Sequence, residues 1–357
     1  MLDKCTFSNL FMTFQDDFPA LKTCTYFNTA YVGLMSQSLF DFRTGYEKNH
    51  LLNADQYKID AYDRLDQTHQ AISSFIGSKK GQTYFVSNFS VGIRFVLDSL
   101  YDRSNVLYLK DDYHSLVDAI EERDFNHFSL LIDEQLEDKI ELALSKNSFH
   151  AFVFSIVQFT HGFKFDFDFL IQLKDKYPKL LIIGDATQHI GADLFDFNSS
   201  PFDAVVCSGY KWLLAGFGNG FIALSDQFFE ETKSSREDFQ HKVFSGHFNI
   251  LGAASLVFAL DYLKANNFEK LVQKNKFLSE KLRDELIKIG CIPEFHKRIP
   301  KSTIVSIFAE EALLKKLEEQ GIRSSFRGKY LRFSIHFYNT IQEIQKLTCL
   351  IKQLILV

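Results

Sequence analysis

The chain has 357 residues, 46% of them hydrophobic and 24% charged, the balance of a folded globular protein long enough to form two unequal domains. Net charge is −5 with both signs interspersed, so no basic stripe invites nucleic acid, no run is apolar enough for a bilayer, and the N-terminal stretch lacks the apolar core of a signal peptide. The cysteines, Cys5, Cys24, Cys207, Cys291 and Cys349, show neither CxxC nor metal-ligand spacing and read as reduced thiols of a cytoplasmic protein; the 39 Phe, spread through every segment, read as core.

In chain order, apolar runs with helix-length connections begin at TYFVS (83–87), followed by NVLYL (105–109), FSLLI (128–132), AFVFSIV (151–157), LIIGDAT (181–187), AVVCSG (204–209) and GFIALS (220–225). Continuous rather than alternating apolar character is expected of parallel strands covered on both faces, and the spacing predicts a doubly wound α/β domain around a mostly parallel seven-stranded sheet. AVVCSG and GFIALS are too close for a helical crossover and are predicted antiparallel. From residue 245 the texture changes. Two long helices are predicted around 251–267 and 267–290, then a strand at 302–308, a helix stopped by Gly321, a strand at 330–337, and a tail helix opened by the capping box Thr340–Glu343. This divides the chain into a large α/β domain, 1–244, and a smaller α+β domain, 245–357, with the N-terminal segment a candidate to pack on the latter.

Three strand ends carry polar residues. In LIIGDATQHIG the strand runs into Asp185, with Gln188 beyond, where open α/β sheets bind ligands; a turn or helix-cap role would also place an Asp there. In CSGYKWLLAGFGNG, Lys211 stands where the next strand ends. Desolvated there, its amine becomes a nucleophile toward carbonyls; on the surface it would merely snorkel past Trp212. FVSNFSVGIRFVL reads as a strand, a polar turn and a helix starting near Ser90, which is an anion site or simply a capped helix. A carboxylate for a pyridinium nitrogen and a lysine for a Schiff base are the two protein groups that pyridoxal phosphate chemistry requires.

The series FNTAYVG, SNFSVGI, DDYHSL, VQFTHGFKFD, IIGDATQHIGA, CSGYKW, FSGHFN and LRFSIHFYNT resembles the class V aminotransferases, fold-type I pyridoxal phosphate enzymes that include kynureninases and cysteine desulfurases. The resemblance runs from about Tyr26 to Leu354 and implies the following roles. Lys211 bonds the cofactor aldehyde and moves protons, Asp185 keeps the pyridine nitrogen protonated, and Gln188 bonds the phenolic oxygen. Tyr113 stacks on the ring. The amides of Phe89 and Ser90, with the side chains of Ser90, Ser208 and Tyr210, hold the phosphate. Arg332 takes the substrate carboxylate, with Arg327 as a rival, and Asn28 lines the substrate side. The same resemblance implies a homodimer with active sites at the interface, where many relatives reach the partner's phosphate from a threonine; here that position is His247. Tyr113 and Tyr210 could equally be ordinary half-buried tyrosines, and Arg332 a sheet-edge arginine. His114, His161, His189 and His336 lie near these motifs but read as structural.

Cysteine desulfurases need a reactive cysteine on the loop before the arginine strand. GIRSSFRGKYLRFS has none, and Cys291 is a poor substitute, so that activity is disfavoured. The resemblance most simply implies transamination of a small amino acid, with a lyase or epimerase on the same scaffold as the alternative. A cofactor-binding copy without catalysis would not need Asp185, Gln188, Lys211 and Arg332 together. A dinucleotide enzyme would need the close glycines of GxGxxG, which SNFSVG lacks.

Overall fold

The computed structural model describes Phe14 and residues 16–355; Cys5 and the N-terminal stretch considered above as a signal peptide lie outside the described residues. Its strands, in chain order, are β1 (Thr25–Tyr26), β2 (Thr83–Val86), β3 (Asn105–Leu109), β4 (Asn126–Leu130), β5 (Ala151–Ser155), β6 (Leu181–Asp185), β7 (Ala204–Ser208), β8 (Gly220–Leu224), β9 (Ile304–Phe308), β10 (Ile322–Arg323), β11 (Ser325–Arg327) and β12 (Tyr330–Ser334). Seven form one sheet in the order β2-β8-β7-β6-β5-β3-β4. Only β8 runs against the rest, pairing antiparallel with both β7 and β2, as the short 204–225 connection requires.

Strand alternation explains the continuous apolar runs. On one face Leu107, Phe152, Phe154, Ile182, Val205 and Phe221 pack with helices Leu65–Ile76, Leu136–Lys146, Phe167–Lys176 and Ile250–Ala265. On the other, Val106, Val153, Ile183, Val206 and Ile222 pack with Phe89–Asp98 and His114–Glu121. Both faces are dry, so each position favours an apolar residue. The strand predicted at 128–132 is a correction: pairing runs over 126–130, and residues 126–129 are exposed. As the outer strand, β4 has one neighbour and little cover, so polar Asn126 and His127 pair in the ladder while Leu131 falls outside it.

Helix Ile250–Ala265 shares the first core through Leu256, Leu260 and Leu263. Helix Phe268–Ile289 instead turns Leu278, Leu282 and Leu286 into a second core with the antiparallel sheet β11-β12-β9 and the tail helix Ile341–Ile355. The capping box forms: Glu343 accepts from the amide of Thr340 at 2.9 Å, and Thr340 Oγ1 accepts from the amide of Glu343 at 3.2 Å. The N-terminal segment joins this second unit, with β1 parallel to β10, Asn28 bridged to Ser334, and Phe27 in its core. No described helix is long and apolar enough to cross a membrane.

Candidate active site

Strands β2, β3, β5, β6 and β7 are mutually parallel in direction, so their carboxyl ends open on one edge of the sheet. A cavity of about 110 Å³ lies there, lined by Asn88, Phe89, Ser90, Tyr113, Ser155, Phe159, Asp185, Thr187, Gln188, Ser208, Tyr210 and Lys211. Eight residues singled out from the sequence therefore converge from segments more than 100 residues apart.

Lys211 is 8% exposed. Burial pulls its amine down to about 8, against the attraction of Asp185 and with help from Arg332 and Arg327. Its Nζ stands 5.7 Å from the ring centre of Tyr113 and 5.5 Å from that of Tyr210. The snorkelling alternative is thereby set aside. Burial raises the Asp185 carboxyl to about 6, opposed by hydrogen bonds from Thr187 and by Lys211, and nearby Asp112 adds to the rise. Asp185 Oδ1 accepts from the Thr187 amide at 2.8 Å. Its turn role and its cavity role coexist.

Gln188 is held from both ends of its amide. Nε2 donates to the carbonyl of Ala30 at 3.0 Å, and Oε1 accepts from the indole Nε1 of Trp212 at 2.7 Å. Trp212 thus positions the neighbour of the carboxylate while its backbone follows the lysine. His336 fixes that backbone in turn: Nε2 donates to the Trp212 carbonyl at 3.0 Å and Nδ1 accepts from the Phe337 amide at 2.9 Å. Burial pushes His336 and His189 down to about 3 and His161 to about 4, so these rings are neutral near pH 7.

At the other end of the cavity, Asn88 caps helix Phe89–Asp98 by accepting from the Val91 amide at 2.9 Å. The Phe89 amide donates to Ser208 Oγ at 2.8 Å, and Ser115 Oγ donates to Ser90 Oγ at 2.7 Å. Hydroxyls and a helix N-terminus thus share one corner, a donor set suited to an anion. The glycines of 207–220 are required by the packing and backbone of the turn. A side chain on Gly209 would strike Asn219, one on Gly220 would strike the Cys207 carbonyl, and Gly216 and Gly218 adopt φ of +70° and +84°. They tighten the turn itself.

Two predicted residues sit beside the cavity rather than in its lining. Arg332, 1% exposed on β12, donates from Nη1 to the carbonyl of cavity-lining Phe159, while its Nε and Nη2 are buried without a partner. Asn28 is half-buried, with Oδ1 unpartnered. His247 is exposed outside the lining, its Nδ1 2.7 Å from Tyr62 Oη.

Sequence reasoning passed over Asp112, although DDYHSL contains it. Buried, it accepts from the Ser155 amide (2.7 Å), Ser155 Oγ (2.5 Å), Gln158 Nε2 (3.0 Å) and the Tyr113 amide (2.6 Å). Burial raises its carboxyl despite these bonds. It ties the ends of β3 and β5 together and sets where Tyr113 begins its helix.

Residues 35–347 match the aminotransferase class-V family. A search of curated protein sequences finds no match. Among solved structures, a C-DES mutant with glycine covalently linked to its PLP cofactor is 16% identical, with TM-score 0.84, covering 95% of this chain and 98% of that one. The cysteine desulfurase of Thermococcus onnurineus NA1 is 16% identical, with TM-score 0.79 and coverage of 95% and 96%. The cysteine desulfurase CsdA of Escherichia coli is 15% identical, with TM-score 0.79 and coverage of 96% and 97%. At these identities the structures establish a shared fold.

Proposed function

Because the chain belongs to the aminotransferase class-V family, whose members are pyridoxal 5′-phosphate enzymes, we propose that this cavity holds the cofactor on Lys211 and transfers the amino group of a small amino acid. The observation that carries the reading is a buried lysine, drawn down to about 8, sharing one cavity with a buried carboxyl. The residues fit the group. Asp185 would meet the ring nitrogen, Gln188 the phenolic oxygen, and Tyr113 a ring face. Ser90, Ser208, Tyr210 and the first amides of helix Phe89–Asp98 would hold the phosphate. When bound, the cofactor supplies an electron sink that weakens bonds at the substrate Cα.

The chain's own contribution is proton placement and orientation. With its affinity lowered, the Lys211 amine has a usable neutral fraction near pH 8 and can take and return a proton at Cα. Asp185 raises the basicity of whatever nitrogen it faces. Arg332, with two donors unengaged, would take the α-carboxylate in bidentate fashion, and Asn28 would line the same side. His247, exposed beside Tyr62, belongs to the proposal only as a donor across the expected homodimer.

Purified protein should take up added pyridoxal phosphate with a near-visible absorbance band. Borohydride should abolish that band and fix the cofactor mass on the peptide containing Lys211. In a separate, unreduced sample, an added amino acid should yield its keto acid. A colourless protein that takes up no cofactor would overturn the reading.

A lyase is the second reading, and a local feature favours it over persulfide transfer to a protein thiol. The β11–β12 hairpin turns on Gly328 and Lys329, and residues 321–330 contain no cysteine. Cys291 is half-buried, its thiol pushed up to about 11 by burial. One solved neighbour, C-DES, is described as a cystine C-S lyase with cysteine persulfide as its product. Release of ammonia with the side-chain group, instead of a keto acid retaining it, would favour the lyase.

A further inference from the structure

Two arginines share one face of the β11–β12 hairpin. In its antiparallel register Ser325 pairs with Arg332 and Arg327 with Tyr330, so these four side chains project from the same face. Arg332 is buried with Nε and Nη2 unpartnered. Arg327 is half-buried, donates from Nη1 only to the adjacent Phe326 carbonyl at 2.7 Å, and carries its guanidinium 5.1 Å from the ring centre of Tyr31. Tyr31 follows Asn28 in the segment that Gly33 fastens to the lysine turn, its amide donating to the Tyr210 carbonyl at 2.9 Å. Among the described residues, no carboxylate pairs with either guanidinium.

One substrate carboxylate suffices for Arg332. It does not account for a second unpaired cation on the same face, which repels the first: Arg327 helps burial draw Arg332 down to about 9. A second negative charge in the substrate would relieve that repulsion, and Arg327 shares the hairpin face of Arg332, with its guanidinium beside Tyr31. We infer that Arg327 is a specificity-determining residue and that the substrate is an α-amino acid bearing a second anionic group on its side chain, its α-carboxylate on Arg332 and its distal anion on Arg327. Carboxylate and phosphate share the chemistry a guanidinium recognises. The inference rests on the proposed assignment of the cavity as the cofactor site.

The test is calorimetric titration of the pyridoxal phosphate-loaded enzyme with unreactive acids: butyrate, succinate and glutarate. At least one diacid should bind about tenfold or more tightly than butyrate, the range of one charge-assisted hydrogen-bonding group. Arg327→Gln should erase that preference, costing the diacids more than butyrate, Arg327→Lys should retain part of it, and Arg332→Gln should weaken all three acids. O-phospho-L-serine against L-serine, scored by the change in cofactor absorbance, separates a phosphate-preferring from a carboxylate-preferring site. Equal binding of mono- and diacids with no preference for phosphoserine, or a diacid preference that survives Arg327→Gln, overturns the inference. Failure to load the cofactor at all would instead overturn the assignment beneath it.

Discussion

At the scale of single residues, the site is defined by what burial does to two charges. Lys211 has its affinity lowered from 10.5 to about 8. Below pH 8 the amine is protonated in both folded and unfolded chains, and the folded state bears the full cost of the buried ammonium. Between 8 and 10.5 the folded amine is neutral and the cost fades; above 10.5 it is gone. Lys211→Met, similar in volume and uncharged, should therefore stabilise the cofactor-free protein by up to about 3 kcal/mol at pH 7, with the gain shrinking above pH 8, while abolishing turnover and borohydride fixation. Urea unfolding on either side of pH 8 checks this. A variant no more stable than the parent at pH 7 would mean that the amine is not desolvated. Trp212→Phe tests a different kind of residue. It keeps an aromatic ring but removes part of the buried indole and the donor to Gln188 Oε1, so stability should fall by about 1–2 kcal/mol for the lost hydrogen bond, with the cavity adding to the loss. If Gln188 matters through its orientation, kcat should fall more than KM changes. Calorimetric melting and steady-state kinetics separate the two effects.

At the scale of elements, what was legible followed from local pattern. Six of the seven large-sheet strands are evident because both sheet faces are dry, and β4 is displaced by two residues because its exposed outer position lets polar residues pair. Helix Gln37–Asn53 gives no comparable signal: Leu39 is its sole buried residue, so there is no apolar stripe to read. Lys211, Asp185 and Gln188 were legible because they stand at strand ends in a motif order. Asp112 was not, since its partners Ser155 and Gln158 lie 43 and 46 residues away and only the parallel pairing of β3 with β5 brings them together. The tail helix is the opposite case, announced by its own capping box. Thr340→Ala removes the acceptor for the Glu343 amide and should cost about 1 kcal/mol. Because the box lies in the second core, away from the cavity, the rate constants of the folded enzyme should not change. A drop in kcat without a drop in melting temperature would contradict that separation.

At the scale of the whole molecule, the two cores are coupled by the N-terminal segment. Thr25–Tyr26 extends the edge at β10, the Ala30 amide donates to Ser334 Oγ at 3.0 Å, and the Ala30 carbonyl receives Gln188. Three residues later the Gly33 amide donates to the Tyr210 carbonyl, one position before the lysine. A methyl group on Gly33 would fall within the contact distance of the Lys211 carbonyl and the Leu214 side chain. The first of these is backbone, which has little freedom to yield, so the clash must be met by moving the segment or the lysine turn. Gly33→Ala should destabilise by about 1–3 kcal/mol. It should also do what Thr340→Ala does not: displace Asn28 and Tyr31 relative to Lys211, raising KM and lowering kcat together in the protein that still folds. The discriminating measurement is the affinity of the loaded enzyme for glutarate. If the segment positions the substrate side through this one hydrogen bond, glutarate binding weakens along with stability; unchanged binding in a destabilised Gly33→Ala protein would confine the role of Gly33 to packing.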